Sequence, residues 1–154
     1  KPSLLDTDHI WGVGGNVDWA WKSFVRGHNP LFMDPYQHEL LGRGDPQQWE
    51  PLRQALGQTR RLAQRLNLSA MAPRSELAST GYCLAEVGRA YVVYAPQGGQ
   101  VTVDLQGAEG LFAIEWIDPV QGTSTAGAKI RGGKQAMLTA PREGAVVLYL
   151  RQAQ

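Results

Sequence analysis

Asp6, Asp8, His9, Trp11 and Asp34 are the residues of this chain whose types and spacing invite chemistry. Asp6 and Asp8 follow the apolar pair Leu4–Leu5, and Asp34 follows the apolar run Leu31–Met33. On an extended strand, residues two apart project to one side, roughly 6.6 Å apart at about 3.3 Å per residue. Two carboxyl groups at such a separation can share acid and base work on one bound group. Asp8 lies nearer the strand end, where ligands sit in parallel α/β folds, and Asp6 and Asp8 are both candidate substrate contacts. In the alternative reading both accept backbone N–H bonds and orient the loop that follows. His9 titrates near neutral pH, which suits a general acid or a donor to sugar hydroxyls; it suits equally a packed, hydrogen-bonded residue beside Trp11. Trp11 offers a flat apolar face on which a sugar ring can stack. Asp34 either contacts substrate or caps the Pro35–Tyr36 turn.

Other chemistry is weaker. Gly12-Val13-Gly14-Gly15 lacks the Lys-Ser/Thr of a phosphate loop and the spacing of a dinucleotide fingerprint, so a tight strand-to-helix turn explains it better. His28 and His38 have no carboxylate or cysteine at metal-ligand spacing, and Cys83 is the single cysteine. No metal, cofactor or disulfide is expected. Cys83 reads as a small buried residue.

The elements that must hold these residues follow from periodicity. The two apolar runs read as short strands. Between them Asn16 suits an N-cap and Asp18 the first turn of a helix. Val17, Ala20, Trp21, Phe24 and Val25 then fall on one stripe, and Gly27 ends it. Strand, helix, strand predicts a parallel pair with a right-handed crossover, its carboxylates at the end where ligands bind in parallel α/β folds. A second helix is predicted over roughly 51–66. Leu52, Ala55, Leu56, Thr59, Ala63 and Leu66 face inward there, and its arginines form a solvated face. Two parallel strands cannot cover their own faces and edges, so upstream residues or another chain are expected to complete the sheet.

After residue 80 the pattern changes. Short β-rich runs alternate with turn signals at Pro96–Gly99, Asp118–Gly122, Gly132-Gly133 and Glu143-Gly144, as in an antiparallel β-sandwich. Trp21 and Trp116 read as core. The chain has 154 residues and a net charge of +1, which argues against nucleic acid or an acidic membrane surface as partner. No apolar run approaches the ~20 residues of a membrane helix. It opens Lys1-Pro2 without a starting Met, so the compartment stays open; a secreted or periplasmic parent is compatible with it.

The run DTDHIWGVGGNVDWAWKSFVRGHNPLFMDPY at 6–36 resembles the end of the barrel in bacterial apiosidase-like and collagenase-type glycoside-hydrolase-like proteins. Tyr82 to Ala85, Tyr91 to Tyr94, Val101 to Leu105, Trp116-Ile117-Asp118-Pro119 with Gly122, Gly132-Gly133, Pro141 and Val147 to Leu150 resemble the collagen-binding-type domain that follows such barrels. The resemblance implies an α/β plus all-β chain: the last two βα units of a TIM barrel (residues 1–67), a linker (68–80) and an accessory antiparallel β-sandwich (81–152). It places Asp8 at the end of the seventh barrel strand, a position that often carries a catalytic carboxylate, and leaves six βα units absent. The parent is expected to hydrolyse a carbohydrate substrate, and this portion to be inactive alone. The alternatives are a non-catalytic carbohydrate- or collagen-binding module and a purely structural support domain.

Overall fold

The computed structural model describes residues 3–7, 15–33 and 46–153. Strands dominate it. Parallel strands β1 (Ser3–Asp6) and β2 (His28–Leu31) flank helix α1 (Val17–Val25), and helix α2 (Glu50–Ala63) follows. The rest is β: β3 (Ala72–Pro73), β4 (Cys83–Glu86), β5 (Ala90–Ala95), β6 (Gly98–Asp104), β7 (Leu111–Ile117), β8 (Ser124–Arg131), β9 (Gln135–Glu143) and β10 (Val146–Gln152). Six of these form one antiparallel sheet in the order β3-β4-β5-β10-β7-β8, and β6 pairs with β9 in a second.

Alternation assigns each side chain to a layer. Tyr91, Val93, Phe112, Ile114, Trp116, Leu148 and Leu150 point from the large sheet toward Val101, Val103 and Leu105, making the sandwich core. Val92, Tyr94, Val147, Tyr149 and Ile117 point the other way and meet Trp21, Phe24, Val25, Leu52, Ala55 and Leu62 of the helices. β5 and β10 are therefore covered on both faces. This is why Tyr91–Ala95 and Val146–Leu150 read as unbroken apolar runs rather than alternating ones.

The expected last two βα units of a TIM barrel are not what the chain forms. β1 and β2 are four residues each and pair only with one another among the described strands. The helices lay their apolar stripes on the six-stranded sheet instead of ringing a barrel wall. The fold is a β-sandwich-like domain carrying a helical layer. An amphipathic stripe states that a helix buries one face; it does not state against what. Ala72 and Pro73, between the two regions, add an edge strand to the large sheet.

The parallel pair keeps one packed and one open face. Leu5 and Pro30 are half-buried, while Leu4 and Leu31, diagonal neighbours on the opposite face, are 74% and 52% exposed. No helix among the described residues is long and apolar enough to cross a membrane.

Gly57 sits inside α2 with nothing within 4 Å of where a Cβ would lie. Replacing it with Ala should raise stability by about 0.5–1 kcal/mol, because glycine costs the helix entropy without a packing return. Trp21, fully buried between helix and sheet, should cost about 3–5 kcal/mol as Trp21→Ala. Urea unfolding checks both; equal midpoints for wild type and Gly57→Ala would contradict the open space assigned beside that residue.

Candidate functional site

Of the predicted site residues, Asp8, His9, Trp11 and Asp34 lie outside the described residues. Asp6 is described: it ends β1 opposite Leu31, half-buried, on the face shared with Leu4 and Asn29. The tie between the two strand ends is Thr7, which sequence reasoning passed over. It is fully buried, its N–H donates to the Leu31 carbonyl at 3.2 Å, and its Oγ1 accepts from the Met33 N–H at 3.0 Å. A β-branched residue with a hydroxyl, set between two aspartates, was the available signal.

Polar chemistry gathers most clearly where the helices meet the sheet. Asn16 caps α1, its side chain accepting from the Trp19 N–H at 2.8 Å. That sets Asp18 in the first turn, where Oδ2 accepts from Lys22 Nζ at 2.7 Å and Oδ1 accepts from the Tyr94 hydroxyl. Burial acts to raise the Asp18 pKa, but the bonds from Lys22 and Tyr94 outweigh it and hold the carboxyl below its ordinary 3.8. Tyr94 itself is pushed far up by burial and by that carboxylate. Lys22 and Arg26 lie over the Tyr82 ring, at 5.1 and 4.9 Å from its centroid. At the far end Arg65 forks onto Glu115 and sits 4.9 Å over Tyr149, and the Arg65 bonds lower the Glu115 pKa.

The turn after β7 completes the junction. Asp118 Oδ1 accepts from the N–H groups of Val120 and Gln121, both at 2.8 Å, and its other oxygen pairs with Arg142. The turn so held offers two carbonyls to the helices: Pro119 accepts from Trp21 Nε1 at 2.9 Å and Val120 accepts from Gln58 Nε2 at 3.2 Å. Gly122, at φ +71°, is required here, since an added Cβ would lie 2.2 Å from Gln58 Oε1.

Beside this turn runs a shallow polar groove of two adjoining depressions, about 610 and 400 Å³. Glu50, Arg53, Gln54, Val120 and Gln121 line both, and Gly57 and Arg61 extend the second. Cys83 lies elsewhere, in the sandwich core, and burial pushes its thiol up to about 12, so it is no nucleophile.

Comparison with known proteins now separates the possibilities. Residues 71–149 match the domain family described as "Putative collagen-binding domain of a collagenase". The chain belongs to that family. Among solved structures it is similar to one named glycoside hydrolase, with a TM-score of 0.71 and 12% identity over 88% of this chain and 36% of that one. It is also similar to a glycoside hydrolase family 5 protein from Bacteroides vulgatus, with a TM-score of 0.70 and 13% identity over 88% of this chain and 35% of that one. At such identities the likeness is one of fold, and this chain spans about a third of the length of those structures. No curated protein matches the sequence. The Trp116 to Pro119 run with Gly122, part of the resemblance seen in sequence, thus lies within the matched domain and forms its joint with the helices.

Two measurements test the junction. Tyr94→Phe should cost about 1–2 kcal/mol through the lost bond to a carboxylate. Asp18 and Glu115 both titrate below their ordinary 3.8 and 4.5 in the folded chain. Their contribution is therefore complete above those values and is lost as pH falls through the lower folded ones. Trp fluorescence should report acid loosening of the helical layer below pH 4.5, weakened in Asp18→Asn/Glu115→Gln. Identical acid profiles in the two proteins would reject this assignment.

Proposed function

We propose that this chain is a non-catalytic accessory module of a longer glycoside-hydrolase-like protein, and that it holds that protein on a polysaccharide. The observation that carries the reading is the family match over 71–149, together with the use made of the described carboxylates at the junction. Asp18, Glu115 and Asp118 pair with the Lys22, Arg65 and Arg142 side chains and serve the packing of helix on sheet. The similarity to two glycoside hydrolases supports a parent acting on carbohydrate. For that parent we propose Asp8 as the catalytic carboxylate, as the resemblance implies, with Asp6, His9, Trp11 and Asp34 as substrate contacts. The open face and edges of β1 and β2 favour pairing with further polypeptide of the parent or of another chain, because a parallel pair of this length is marginal alone. In domain terms we assign residues 81–152 to the accessory sandwich and 1–67 to the portion that connects it to the parent.

A structural-support role is the second reading, and one observation favours it. The seam of Trp21, Phe24, Leu52 and Leu62 on Tyr94, Val147 and Tyr149 is apolar and closely covered, as expected of a permanent interface.

The purified chain, incubated with insoluble plant and bacterial polysaccharides and with fibrillar collagen, should be retained on polysaccharide and release no reducing sugar. Sugar release would overturn the non-catalytic assignment. Retention on neither material would leave the support role, and retention on collagen alone would replace polysaccharide as the target.

A further inference from the structure

At Gly57 the helical layer departs from good helix chemistry without a packing reason. It lies mid-helix in α2, has open space where a side chain would stand, and lines the polar groove beside the Asp118 turn. Alanine or a long straight-chain residue would stabilise the helix and fill that space. A glycine that packs against nothing leaves room for something else to approach the backbone.

The groove's chemistry narrows what that is. Its polar groups are amides, one carboxylate and two guanidiniums. Gln54 Nε2 donates to Glu50 at 3.1 Å, Arg53 pairs with Glu50 at 3.5 Å, and Arg61 donates to Gln58 Oε1 at 3.0 Å. Gln121 projects from the opposite wall, on a turn that Asp118 holds rigid. Amides present a donor and an acceptor side by side, which matches hydroxyl groups that are both. Glu50 offsets Arg53, and Arg61, bonded to an amide, leaves the groove with one positive charge in excess, which disfavours a cationic ligand. Pro51 and Val120 add an apolar wall for the C–H face of a ring.

We propose that this groove is a binding subsite for oligosaccharide, with Gly57 as its floor and Gln54 and Gln121 as its hydrogen-bonding groups. The inference rests on the accessory-module reading and locates its site. Titration of the chain with soluble oligosaccharides of glucose, xylose, mannose and galactose, followed by calorimetry and amide chemical shifts, tests it. A triple-helical collagen peptide serves as a parallel probe. Gly57→Gln fills the floor with a better helix former, so it should fold with a Tm at or above wild type. It should bind oligosaccharide about tenfold more weakly. Gln54→Ala/Gln121→Ala should weaken binding similarly, whereas Met137→Ala, on exposed β9, should not.

Undiminished binding in Gly57→Gln would overturn the groove assignment and leave the accessory-module reading standing. Absence of oligosaccharide binding by the wild-type chain, with no retention on insoluble polysaccharide, would overturn both. Collagen peptide shifting the groove amides in place of saccharide would overturn the ligand class alone.

Discussion

The burial of Trp21 between α1 and the large sheet is the contact on which the rest of the structure depends. Its ring stacks near Tyr94, with centroids 6.3 Å apart and planes 15° apart, and meets Phe24 edge-on. Its Nε1–H reaches the Pro119 carbonyl, so the largest apolar group at the seam arrives with its one polar atom satisfied. Desolvation of an unpaired indole N–H would otherwise oppose the burial. Asp18 and Tyr94 do the same one turn earlier, and Gln58 with Val120 on the neighbouring helix.

Burying both faces of β5 and β10 has a consequence for rigidity. Side chains on the two faces of one strand cannot shift independently, so the sandwich core and the helical seam share a backbone. The Asp118 turn grows directly from β7, which pairs with β10, and it carries the contacts to both helices. The polar groove lies against this turn and inherits its fixed geometry. A binding surface on such a base needs little ordering when a ligand arrives, which lowers the entropic cost of association.

The candidate site was only partly legible in the chain. The acidic strand ends stood out because ligands sit at that end of strands in parallel α/β folds, yet Asp6 shares its surface with exposed Leu4 and Leu31, and Thr7 does the buried bonding. The groove left almost no trace. Glutamines on a helix read as solvated surface, and Gly57 reads as a weak helix position. Only the approach of the turn bearing Gln121, more than sixty positions along the chain, turns them into one wall of a depression.

The residues by themselves determined the local elements. Asn16 caps its helix, Ala20, Trp21, Phe24 and Val25 of the first stripe and Leu52, Ala55 and Thr59 of the second are buried, Trp116 is core, Cys83 is buried, and the first two strands are parallel. Each of these follows from interactions within a few residues or from periodicity, which the chain carries in its order. The tertiary structure alone decided the architecture. Apolar stripes are non-directional, and the hydrophobic effect rewards burial against any matching surface. The sheet of Val92, Tyr94, Val147 and Tyr149 supplied that surface, so the helices became a layer on a sandwich where their order had suggested the last turns of a barrel.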